Sequence, residues 1–241
     1  MEKDHDLAVL LDIGALDVKE MLSQSVAKCI VLTEDSIKRS LEVLLESSGF
    51  RMSDTLVLAY YGCTSPHNLR PLLDLIRASN PSAKIVVHQD RDYLTDEEST
   101  AWETQIRKMS VEPFLTNGVD IESHFLDAEY LADLNHQPVS DMIDLINHTT
   151  DVTRDVSIEK YVNGRADIAR KNGTFGKLNM GQLATQAPKI FAKNPERYRH
   201  SKTVAKELRR RFQEKQGVKL RLVEVSDKLK VRGLMEIAKK I

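Results

Sequence analysis

Three short apolar runs, each followed within a few residues by helical periodicity, constrain this chain more than any other feature. Residues 28–34 read Lys-Cys-Ile-Val-Leu-Thr-Glu, residues 55–61 Thr-Leu-Val-Leu-Ala-Tyr-Tyr, and residues 84–89 Lys-Ile-Val-Val-His-Gln. Each is short, and the central residues are continuously apolar rather than alternating, as a strand buried on both faces requires. After the first run, Ile37, Leu41, Leu44 and Leu45 recur at helical spacing behind a Ser36 cap and before Gly49. After the second, Leu69, Leu72, Leu73 and Ile76 share one face of a helix opened by Ser65-Pro66 and ended by Pro81. After the third, Thr95 and Glu98 have the spacing of a capping box. This alternation predicts an α/β fold with a mainly parallel sheet flanked by helices. A fourth run, Val111-Glu-Pro-Phe-Leu-Thr, contains Pro113, which confines it to a sheet edge. Beyond residue 138 the strand pattern stops. Residues 139–171 are periodic for helix, Gly173 and Gly176 mark a loop, a basic helix covers 201–215, and a short stretch at 220–225 precedes an amphipathic helix after Ser226. The carboxyl-terminal region is therefore expected to be mostly helical.

The ends of these runs carry acids. Glu34 closes the first, and Asp90-Arg91-Asp92 follows the third, so all three carboxylates fall at or just past carboxyl strand ends, where open parallel sheets place their sites. Several carboxylates at one sheet edge repel one another unless a cation sits among them, and hard oxygen donors favour Mg2+ or Mn2+. Plainer roles exist for each: Asp90 and Asp92 as turn residues, Glu34 as an acid at a helix start. His88 fits a strand histidine packed on the sheet better than a ligand, His67 lies near the Gly62 loop, and Trp102, Tyr60 and Tyr61 fit packing better than base stacking. Cys29 and Cys63 lack CxxC spacing and read as buried free thiols.

The net charge of −1 conceals an asymmetry: residues 191–241 hold 16 Lys or Arg against 6 Asp or Glu, which leaves −11 for the first 190 residues. An acidic half beside a basic half suits a phosphate-rich polymer, although a solvated basic helix surface is the commoner meaning of such a run. No apolar stretch approaches the roughly 20 residues of a membrane span, and the start Met-Glu-Lys-Asp-His-Asp has no signal-peptide pattern. A cytoplasmic chain that stays out of the membrane is expected.

Strand-Glu34, strand-Gly62 and strand-Asp90-Arg91-Asp92, in that order, resemble a TOPRIM domain, the metal-binding module of topoisomerases, primases and several nucleases. Val119-Asp-Ile-Glu122-Ser-His-Phe-Leu resembles an acid-containing element of the overcoming-lysogenization-defect (OLD) nucleases, and Ser201-Lys202 before a basic helix resembles their Gly-Lys element. Residues 1–25 read as an entry segment or, as the resemblance implies, a connection from an upstream ATPase, 26–137 as the TOPRIM domain and 138–241 as a helical, basic region. The resemblance also implies a Mg2+-dependent DNA endonuclease, acting in phage defence with an ABC-type ATPase partner and as a homodimer. Glu34, Asp90, Asp92 and Glu122 would be the metal ligands, Lys202 the catalytic cation, and Lys206, Arg209, Arg210 and Arg211 the nucleic-acid contacts. Two metals would serve phosphodiester hydrolysis, one activating water and one stabilising the leaving oxygen. The chain departs from the family pattern with Glu34-Asp35 in place of Glu-Gly and with Lys38 where a second acid often stands, so that Asp35 substitutes or Lys38 supplies a cation. No GxxxxGK[ST] phosphate loop occurs in the 241 residues. Topoisomerase or primase activity would need further modules. The rival of another class is a catalytically degenerate TOPRIM module that binds nucleic acid or regulates an ATPase.

Overall fold

The computed structural model describes residues 22, 27–60 and 69–241. Four strands form one all-parallel sheet: Cys29–Thr33 (β1), Thr55–Ala59 (β2), Lys84–Gln89 (β3) and Glu112–Leu115 (β4), in the order β2-β1-β3-β4. The order reverses direction between β1 and β3, so the crevice that such a switch point opens lies outside their carboxyl ends. Pro113 stands opposite Val87 on the edge strand, where its missing N–H costs no second ladder. Every residue of β1 is buried, which is what a central strand covered on both faces requires.

The described residues fall into two units. The first holds the sheet, with residues up to Gln89, Ser99–Leu115 and Lys230–Ile241; the second holds Asp90–Glu98 and Thr116–Leu229. The expected boundary at 137/138 lies inside the second unit, because the segments that leave β3 and β4 pack with the helices that follow rather than with the strands that precede them.

In the first unit, Ile30, Leu32, Ile85 and Val87 share a core with Leu72, Leu73 and Ile76 of helix Arg70–Ser79 (α2) and with Trp102 and Ile106 of helix Asp96–Lys108 (α3). Helix Arg39–Ser47 (α1) buries Leu41, Leu44 and Leu45. Its start corrects the expectation: Lys38 occupies the cap position with no side-chain cap, and Ile37 is 78 % exposed. Ser36 and Ile37 belong to the turn after β1, so the apolar face begins at Leu41. Gly49, at φ +98, follows the end of α1 in the left-handed conformation that glycine tolerates best. The opening of α2 expected at Ser65-Pro66, with Tyr61, Gly62, Cys63 and His67, lies outside the described residues, as does the segment 1–21.

The second unit is helical: Ala128–Asn135 (α4), Val139–Val152 (α5), Arg154–Lys171 (α6), Met180–Lys193 (α7), Pro195–Tyr198 (α8) and Ser201–Gln216 (α9). The stretch 220–225 forms neither helix nor strand; Tyr130 in α4 pins it, its hydroxyl donating to Leu222 O at 2.8 Å and Glu224 O at 3.0 Å. The last helix, Arg232–Ala238 (α10), belongs to the first unit and packs on β4. Among the described residues no helix is long and apolar enough to cross a membrane.

Candidate functional site

The loop that leaves β3 sits on the segment that leaves β4. Arg91 N–H donates to Thr116 Oγ1 at 2.9 Å, Thr116 Oγ1 donates to Gly118 O at 3.1 Å, and Asp92 N–H donates to Val119 O at 2.7 Å. Asp92 adopts φ +49, a left-handed turn position that aspartate tolerates better than most residues. Beyond Val119 come two further acids. Asp120 is 3 % exposed, and Glu122 stands in the 3-10 turn Ile121–Phe125, which buries Ile121 and Phe125.

Lys202, in the first turn of α9, joins these segments. Its amide donates to Asp120 Oδ2 at 3.2 Å, while its ammonium lies 3.8 Å from Asp90 Oδ2 and 3.9 Å from Glu122 Oε2. The first separation fixes the start of the helix; the other two are ion-pair rather than hydrogen-bond distances. Three segments distant in the chain thus bring Asp90, Glu122 and Lys202 together, all within the second unit.

Burial pushes the Asp120 carboxyl above the usual aspartate range, and the charge of Asp92 adds to it, against the Lys202 amide, the Ser201 hydroxyl and the Lys202 charge. Burial also raises the Tyr93 phenol, with Asp120 and Asp92 acting the same way, so Tyr93 stays neutral beside the acids. His124 is held neutral by burial, its pKa pushed down to about 4. Asn117 N–H donates to His124 Nε2 at 3.4 Å, which needs that nitrogen unprotonated.

The remaining sequence candidates are placed as follows. Glu34 is half-buried in the first unit, one residue past β1. His88 is a packed strand histidine: Thr33 Oγ1 lies 2.9 Å from its Nδ1 and the Phe114 ring 5.4 Å from its own. Trp102 and Tyr60 pack in the core, and burial pushes the Cys29 thiol up to about 12, an unreactive thiol. Of the four basic candidates in α9, Lys206, Arg209 and Arg210 are exposed and Arg211 is half-buried. Arg210 pairs with Glu207 and Glu214, while Arg211 pairs with Glu207 and meets His148. Among the described residues no group of three or more His, Cys, Asp or Glu side chains is arranged to hold a metal ion. Asp90 and Glu122, both of the second unit, share the Lys202 cation.

Sequence inspection missed Asp120, Arg165 and Arg197. An acid flanked by Val119 and Ile121, both buried, was the available signal for Asp120; nothing local distinguishes the two arginines from other helix-surface cations. Compared with family models, curated proteins and solved structures, the chain finds no match.

Proposed function

We propose that this chain is a Mg2+- or Mn2+-dependent nuclease of TOPRIM/OLD type that hydrolyses phosphodiester bonds of DNA, with an ABC-type ATPase as its partner. One observation carries the proposal: the Lys202 ammonium lies within 3.9 Å of carboxylate oxygens from both Asp90 and Glu122, so two hard acids from separate segments already share one cationic position. Such a donor pair fits Mg2+, which is commonly held by one or two carboxylates and keeps water and phosphate oxygens as its other ligands. The bound metal would supply an acidified water and charge neutralisation at the phosphate. The chain's own residues do the rest. Asp90 and Glu122 would hold the cation. Lys202 would offer its ammonium to the phosphate oxygens on which charge builds. Asp120, through the Lys202 amide, keeps that lysine at the first turn of α9.

A second reading, a binding module that no longer cuts, draws on the same lysine, because an internal ammonium balances two acids without any metal. Nicking of supercoiled plasmid in Mg2+ or Mn2+, with the ATPase partner present, separates the two. Asp90→Ala, Glu122→Ala and Lys202→Ala should each lower cleavage about 100-fold or more while leaving the fold intact. Absence of metal-dependent cleavage by the parent chain on DNA, or full activity in Asp90→Ala, overturns the nuclease.

A further inference from the structure

We propose that Arg165 and Arg197 are positioning residues that clamp the loop Asp90–Glu98, and that metal binding at Asp90 depends on this clamp. The inference rests on the metal site described above. Three successive carbonyls of the loop are taken up by two guanidinium groups. Arg197 donates through Nη1 to Asp92 O and through Nη2 to Leu94 O, both at 3.0 Å. Arg165 donates through Nη1 to Tyr93 O at 3.0 Å and is forked on Glu98, with Nη1 to Oε2 at 2.5 Å and Nη2 to Oε1 at 3.3 Å. A turn that passes through φ +49 at Asp92 turns its carbonyls away from any strand ladder, and the part-buried Tyr93 and Leu94 carbonyls are costly to leave without partners. A planar fork that spans two carbonyls fixes their separation, which a lysine with one point charge does not.

The arginines are themselves fixed. The Tyr93 ring meets Tyr161 edge-on with centroids 5.6 Å apart, and a Cβ on Gly164 would come within 2.3 Å of Tyr93 Cδ2, so Tyr161, Gly164 and Arg165 form one face of α6 shaped to the loop. Arg197 lies over the Tyr198 ring at 5.1 Å, and Tyr198 in turn meets Tyr161 edge-on at 5.4 Å. Burial lowers Arg197 to about 10, with Arg91 acting the same way, and it stays charged at neutral pH. Glu98 would be raised by its burial, but hydrogen bonds from Arg165 and Thr95 outweigh this and hold it ionised, keeping the fork closed. The same Glu98 completes the capping box at the start of α3, accepting from Thr95 N–H at 2.7 Å. The loop is thus tied at both ends, and Asp90 is presented by a frame of fixed carbonyls.

The test uses the full chain with Arg197→Met, Arg197→Lys, Arg165→Met and Arg165→Lys, and reads three quantities: Mn2+ affinity by calorimetry, hydrogen exchange of the amides at Arg91, Asp92 and Leu94, and the kcat and KM of plasmid nicking. Arg197→Met should weaken Mn2+ about tenfold, speed exchange in the loop but not in α9, and lower kcat with KM unchanged. Arg197→Lys should recover part of the loss. If the methionine variant does not fold, Arg165→Met and the two lysine variants carry the same readouts. Parental Mn2+ affinity and parental loop exchange in the folded variants overturn the clamp. A parent chain that neither binds Mn2+ nor cuts refutes the metal site instead, and loop exchange then still decides whether the arginines hold the loop.

Discussion

His124 shows how one half-buried side chain sets a pH response. Burial lowers its pKa to about 4, and its Nε2 accepts from the Asn117 amide, so the native chain keeps it neutral. The unfolded chain binds a proton near 6.5. Between these values the unfolded state carries a proton that the native state refuses, so stability is full above the unfolded pKa and falls as pH drops through the window toward the folded one. Urea midpoints at about pH 7.5 and about pH 5 should therefore differ, and His124→Gln should shrink the difference. An unchanged difference would move the pH response to other groups. In the same segment, Asp120 and Glu122 are both acids of one short motif, yet only the three-dimensional arrangement gives Asp120 to a backbone amide and Glu122 to an ammonium. The sequence could mark Glu122, because the run Val119-Asp-Ile-Glu122-Ser-His-Phe-Leu resembles an acid-containing element of a nuclease family. It could not mark Asp120, whose partner lies 82 residues away.

At the scale of elements, strand and helix types were legible because their signals are local. β3 spans the residues its apolar run predicts, Pro113 sits on the edge strand, and the Thr95/Glu98 box caps α3 reciprocally, with Glu98 N–H donating to Thr95 Oγ1 at 3.2 Å. The start of α1 was not, since Ile37 has the right spacing but falls in a turn. In α9 the charge pattern showed a basic cluster but not its internal pairing. Hydrogen bonds from Arg210 first, and then from Arg211, pull Glu207 down to about 2, and Arg211 also meets His148 of α5. Lys206 and Arg209 are exposed, and among the described residues no ion pair is seen for either, so their charge is open to phosphates. The double variant Lys206→Ala/Arg209→Ala should reduce the slope of log affinity against log salt by about 2, and Arg210→Ala/Arg211→Ala by less, in fluorescence titrations with duplex DNA. Equal losses would return the paired arginines to the interface.

For the whole chain, sequence order and spatial grouping part company. The acidic and basic halves are read directly from composition, but the units are not, because unit membership depends on which neighbours the loops after β3 and β4 find. The final residues give the clearest case. Counted by position they continue the helical region, yet α10 returns to the sheet unit: Leu234 is fully buried, Val231 N–H donates to Ser48 Oγ at 3.2 Å, and Lys240 pairs with Glu112 of β4 at 3.0 Å. A parallel edge strand leaves an open row of backbone groups and an apolar face to be covered, and α10 packs where β4 needs that cover. Leu234→Ala should therefore cost about 2–5 kcal/mol, as a buried leucine truncation does, whereas Lys240→Ala, in an exposed pair, should cost about 0–1 kcal/mol. Trp102, the only tryptophan, sits in the core of the same unit and reports on it alone. Urea unfolding followed by its fluorescence should shift to lower urea in Leu234→Ala and stay in place in Lys240→Ala. A Trp102 transition that Leu234→Ala leaves unmoved would mean that α10 contributes nothing to the stability of the sheet.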